Sequence, residues 1–136
     1  MAKRQKKYTL TLTQKQVEIV EQALEVYFRC GMGQFRNALD RYFWSPKISV
    51  EDSHYAYTYL DLIGSLLTGM PSNASPGSAS PKVDDRYRVA YDIYQTVRHR
   101  LAHDELKPGE KPGIEVRYDA PRHLSTEEPL PQIKSS

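Results

Sequence analysis

An α+β fold is what this 136-residue sequence predicts: mostly helical, with a small two-stranded antiparallel sheet formed by the N- and C-terminal segments. Three observations predict it. Residues 7–13 (KYTLTLT) and 113–119 (GIEVRYD) alternate apolar and polar side chains, the period of a half-buried strand. Between them, apolar residues recur at spacings of three and four, the period of helices that bury one face. A run of Gly, Ser, Pro, Asn and Ala over residues 69–82 can build no core and divides the helical bulk in two.

The elements follow in order. In residues 7–13, Tyr8, Leu10 and Leu12 face one side and the threonines the other. Thr13-Gln14-Lys15-Gln16 has the capping-box pattern, so a helix starts there and runs over about residues 14–30. Val17, Val20, Ala23, Leu24, Tyr27 and Phe28 form its stripe. Gly31-Met32-Gly33 breaks the pattern. A second helix carries Phe35, Ala38, Leu39 and Tyr42, and ends near Trp44-Ser45-Pro46, because Pro restricts the residue before it. A third runs over about residues 50–68, with Glu51 and Asp52 suited to its first turn. Residues 69–82 form a flexible loop. A fourth helix spans about residues 83–105, acidic at its start and basic near its end, with Val89, Ala90, Ile93, Val97 and Leu101 as its core stripe. KPGEKPG turns the chain into the second strand, which pairs with the first. Residues 1–6 and 121–136 are extended or mobile ends of a single domain. Two strands alone are marginal, so helices must cover one face of the sheet, and self-association offers further burial.

Composition narrows the function. The net charge of +2 is too mild for a binder of nucleic-acid polymer, and much of it sits in Lys3, Arg4, Lys6 and Lys7, a solvated arm. The single cysteine, Cys30, permits no intramolecular disulfide and fits a reducing compartment. There is no run of about 20 apolar residues and no apolar signal core, so the expected location is cytosolic, with no membrane partner. Ten tyrosines against one Trp and three Phe point to half-buried surfaces such as interfaces or ligand walls.

No catalytic constellation is visible, and neither cofactor nor metal is expected. His99 and His103 share a helix face, a spacing that can hold zinc, but HRLAH lacks the protease glutamate and no third ligand is signalled. Cys30 has no His or Asn partner in the pattern. GMGQF follows a helix rather than a strand and so fails the context of a phosphate loop.

Binding chemistry has more support. Tyr87, Tyr91, Tyr94 and Arg98 recur at spacings of four, three and four, one stripe beside the core stripe. Tyrosine rings stack on bases and Arg presents a fork to phosphate. The same pattern also fits core-edge tyrosines and solvated arginines. At the glycine break, backbone N–H groups at a helix start suit an anion, flanked by Arg29 and Arg36, with Gln34 able to read a base edge. A plain helix corner fits those residues equally.

Four stretches carry a resemblance: the Thr-Leu-Thr run at residues 9–13, Arg-x-Gly-Met-Gly-Gln-Phe at 29–35, Ala-Tyr-Asp-x-Tyr-Gln at 90–95 and Glu-Pro-Leu-Pro at 128–131. In that order they resemble a widespread family of small bacteriophage proteins, similar in purpose to the anti-CBASS and anti-Thoeris sponges. The likeness covers both ends of the chain but not residues 45–82. It implies a homo-oligomer, dimer or tetramer, in the host cell cytoplasm. There it would bind and sequester a cyclic nucleotide immune signal, a cyclic dinucleotide such as cyclic GMP-AMP or a cyclic ADP-ribose-type signal, without cleaving it. Carried onto this sequence, Arg29 and the backbone of Gly31, Met32 and Gly33 hold phosphate. Gln34, Tyr91 and Tyr94 contact bases, and Arg98 with His99 closes the anionic side. Phe35, Tyr87 and Gln95 complete the candidate set. The alternative is a phage protein that binds and inhibits a host protein through Tyr-rich helical faces.

Overall fold

The computed structural model describes residues 5–43, 47–71 and 82–135. The helix end expected at residues 44–46, most of the loop expected over 69–82, and Lys3 and Arg4 of the basic arm lie outside the described residues. Four helices follow one another: α1 (Gln14–Gly31), α2 (Phe35–Phe43), α3 (Val50–Thr68) and α4 (Asp85–Asp104), then a 3-10 turn at Val116–Tyr118. Among the described residues no helix is long and apolar enough to cross a membrane.

The helix starts are written in the chain. The Thr13 hydroxyl accepts from the Gln16 amide at 3.3 Å, and the Gln16 side chain accepts from the Thr13 amide at 2.9 Å. Such a reciprocal cap is worth about 1 kcal/mol. Ser49 caps α3 through the Asp52 amide, and Asp84 caps α4 through the Arg86 amide. Gly69 ends α3 in the left-handed conformation, which costs glycine little.

The expected sheet is absent: the described residues are helical or irregular and contain no strand, so the fold is all-α rather than α+β. Residues 7–13 join no ladder, and Tyr8 and Leu10 stand 83% and 77% exposed. Their expected partner, residues 113–119, turns back on itself: the Tyr118 amide donates to the Glu115 carbonyl and the Asp119 amide to the Val116 carbonyl. Tyr118 then packs edge-on against His103, ring centres 5.7 Å apart. Alternation alone does not make a sheet. A lone two-stranded ladder is marginal, and these backbone groups find partners locally instead.

The core lies between α1 and α4. Phe28 sits edge-on to Tyr91 at 4.9 Å and tilted to Tyr94 at 5.2 Å, with Met32, Val83 and Ala90 buried around them. α2 turns off the end of α1, and α3 packs back on α2. There Arg36 faces Asp61 at 3.8 Å and lies over the Tyr57 ring, while the Tyr57 hydroxyl donates to Asp40. Among the described helices α3 contacts only α2.

The C-terminal segment runs along α4. Asp92, 1% exposed, accepts from the Leu124 and Ser125 amides at 2.9 Å each. Gln95 donates to the Arg122 carbonyl at 3.0 Å and accepts from the Arg122 amide at 3.1 Å. Asp85 accepts from the Thr126 and Glu127 amides and the Ser125 hydroxyl.

Asp92→Ala leaves two amides without an acceptor, at about 1–3 kcal/mol per buried group. Urea unfolding should show a loss on the order of 3 kcal/mol, and hydrogen exchange should rise at Leu124 and Ser125. Asp85 gives a pH prediction. Its bond from the Thr126 amide, against the opposing effect of burial, and then the bonds from the Ser125 and Thr126 hydroxyls and the Glu127 amide, hold its carboxyl below the ordinary range. The folded value is depressed, so this contribution is complete above the unfolded value and is lost as pH falls through the folded one. The Thr126 and Glu127 amide signals should therefore hold steady from neutral pH down to the ordinary Asp range and move only below it.

Candidate ligand cavity

A cavity of about 300 Å³ lies against the glycine corner. Gly31, Gly33 and Cys30 form one side, Leu67 and Thr68 of α3 another, and Tyr87 with Lys82 at the approach to α4 a third. Each side has a structural cause. A Cβ on Gly31 would fall 2.2 Å from the Tyr87 ring, so only glycine lets that ring lie on the backbone. Gly33 has φ +77°, open to glycine at little cost, and its carbonyl would lie 2.3 Å from a Cβ on Gly64. The glycine pair thereby admits α3 beside the corner.

The corner's amides are engaged within the chain. Met32 N donates to the Phe28 carbonyl at 3.0 Å, Gly33 N to Cys30 at 3.0 Å and Gln34 N to Arg29 at 2.8 Å. They close the end of α1, as helix C-termini commonly do, and are not turned toward an anion. The lining offers other chemistry. Lys82 is the only charged residue among the described lining residues, and Tyr87 offers an aromatic ring. The Thr68 hydroxyl donates to the Gly64 carbonyl at 2.8 Å and accepts from the Met70 amide at 3.2 Å. Burial pushes the Cys30 thiol up, so it is protonated at neutral pH and is a weak nucleophile. Among the described lining residues there is no carboxylate and no imidazole.

The candidate residues therefore divide into groups. Gly31, Gly33 and Tyr87 line the cavity. Met32, Tyr91 and Tyr94 pack in or against the core around Phe28. Arg29, Gln34, Tyr94 and Arg98 meet along a polar seam whose hub is Glu25. Its carboxylate pairs with Arg29 at 3.3 Å and Arg41 at 3.8 Å and accepts from the Tyr94 hydroxyl at 2.9 Å. Arg29 also donates to the Gln34 side chain at 2.9 Å, and Arg98 covers the Tyr94 ring at 5.0 Å. Burial, then Glu25, raises the neighbouring Glu21 carboxyl, and burial followed by the Glu25 hydrogen bond raises the Tyr94 hydroxyl. Phe35 lies near Gly64, at the start of α2. Gln95 is engaged with the backbone of Arg122. The His99 ring lies tilted against that of His103, ring centres 4.3 Å apart. Burial, then the charges of His103 and Arg100, lowers its pKa. No group of three or more potential metal ligands occurs among the described residues.

Sequence reading missed Lys82, Leu67 and Thr68 as cavity walls, Glu25 as the hub, and Asp85 and Asp92 as anchors of the C-terminal segment. Asp92 did carry a signal: a carboxylate between Tyr91 and Ile93 in an apolar stripe must find donors. The cavity walls gave none, because they are brought together only by the corner.

No family model matches the chain, and no curated protein or solved structure matches it.

Gly31→Val should expel the Tyr87 ring and deform the cavity. Overpacking of this kind costs about 1–3 kcal/mol. The expected readouts are a lower Tm and a changed near-ultraviolet tyrosine signal with helix content retained.

Proposed function

We propose that the protein is a non-catalytic binder of a small nucleotide signal, held at the cavity against residues 31–33. The observation that carries this reading is the pairing of Tyr87 and Lys82 on a glycine-walled cavity. The ring, packed on Gly31 and beside Tyr27, brings aromatic surface for a base, and Lys82 brings positive charge for a phosphate. The resemblance of four stretches to small phage proteins is the basis for reading a phage origin and an immune-evasion role in the host cytoplasm.

The size of the cavity bears on the ligand. Its volume of about 300 Å³ is at the low end of the roughly 300–1,000 Å³ of small-molecule sites. That favours a compact ring with one base, of the cyclic ADP-ribose type. A cyclic dinucleotide would leave its second base outside the cavity of one chain. The host-protein alternative has lost part of its basis on α4, because Tyr91 and Tyr94 pack around Phe28 in the interior.

A thermal-shift panel of cyclic ADP-ribose isomers, cyclic dinucleotides and linear mononucleotides tests the reading. One cyclic species at 100 times its Kd should add about 2.7 kcal/mol, a shift of several degrees for a domain this size. It should be recovered intact after denaturation, and Lys82→Ala should weaken the shift. A panel without any shift overturns the proposal.

A further inference from the structure

Among the described residues α3 is the most apolar helix, yet its outward face meets no other described element. Tyr55, Tyr59, Leu62 and Leu66 recur at spacings of four, three and four, with Ile63 and Leu67 beside them, and all six are exposed. Its polar contacts lie on the other face. Tyr57 and Asp61 point at α2, toward Asp40 and Arg36, and Gly64 packs on the corner. From residue 55 to residue 67 the outward stripe carries no charge.

We infer that this face is a self-association surface, and that its occupant is α3 of a second copy. Two quantities favour a second copy over another partner. The first is area: without Leu67, which walls the cavity, exposures from 43% at Ile63 to 75% at Leu66 amount to roughly 650 Å² per copy, within the roughly 600–1,000 Å² that each partner of a standard stable interface contributes. The second is charge. The stripe has no basic residue for a nucleic acid or an acidic peptide and no acidic residue for a basic one, whereas an uncharged apolar stripe is complementary to itself. Glu51 and Asp52 also set the direction. Parallel pairing would bring two acidic first turns side by side, while antiparallel pairing separates them. The two-fold axis then passes between Tyr59 and Leu62, with Tyr55 against Leu66 of the second copy. This pairing needs no ligand.

Sedimentation equilibrium of the full chain between about 1 and 100 µM tests it. The expected result is a species of twice the 15.7 kDa chain mass. Leu62→Glu with Leu66→Glu should give a monomer with an unchanged helical spectrum, since neither side chain is buried within one copy. Cysteine cross-linking in the Cys30→Ser chain reads the direction. Leu62→Cys lies near the axis and should form a disulfide between copies. Leu66→Cys should not, because antiparallel pairing sets it about 16 Å from its counterpart along the helix. A monomer throughout the range, or a dimer indifferent to the glutamates, overturns the inference. Equal cross-linking at both positions overturns the antiparallel pairing.

Discussion

Gly31 has no side chain because the Tyr87 ring occupies its place, and most of the molecule is set by that contact. It fixes how α4 runs across α1. One turn back from Gly31, Phe28 falls between Tyr91 and Tyr94; one turn further, Glu25 meets the Tyr94 hydroxyl; one more, Glu21 comes under the charge of Arg98. Positions 31, 28, 25 and 21 thus face 87, 91, 94 and 98, two antiparallel rows at helical spacing. The seam changes from apolar to ionic along its length. The glycine end leaves a cavity, and the far end holds carboxylates and guanidinium groups.

α4 is enclosed on two sides by different chemistry. One side carries the tyrosines that meet α1. The other carries Asp85, Asp92 and Gln95, which take up the backbone of the C-terminal segment. A buried carboxylate needs donors, and an extended chain without a sheet needs acceptors. Each supplies what the other lacks, so the C-terminal segment lies against α4 instead of forming a strand. A mostly polar helix can therefore be the most buried one in the protein.

The helices were legible in the sequence, because capping residues and apolar spacing are local signals. Thr13 and Gln16 act where the pattern placed them, and Glu51 and Asp52 lie in the first turn of α3 as expected, whereas the Ser49 cap was not read. The sheet was misread because alternation at residues 7–13 states which side chains share a face, not that another strand comes to pair. The site was legible in part. Two glycines beside an Arg marked the corner, and Tyr87 reached the cavity. Tyr91 and Tyr94 gave the same signal as Tyr87, since an aromatic stripe reads alike against a ligand or against Phe28. Which ring lies where depends on the register that Gly31 imposes, and that is a tertiary fact.

The distribution of apolar residues is inverted between α3 and α4. The more polar helix is enclosed, and the more apolar one has a bare face. α4 can be polar because its buried Asp92, Tyr94 and Gln95 side chains bond to the C-terminal segment and to Glu25, although Arg98 Nε is buried without a hydrogen-bond partner. α3 has no such compensation within one chain: its stripe offers only hydrophobic area, which gains nothing in water. Within the chain α3 is held by one neighbouring helix, a close glycine contact, an ion pair and a tyrosine–aspartate bond. Few contacts mean low local stability, so α3 is the helix whose order depends most on what covers it. Since Leu67 and Thr68 also wall the cavity, whatever orders α3 orders one side of that cavity. The exposed stripe and the cavity wall then meet on one helix, with Leu67 common to both.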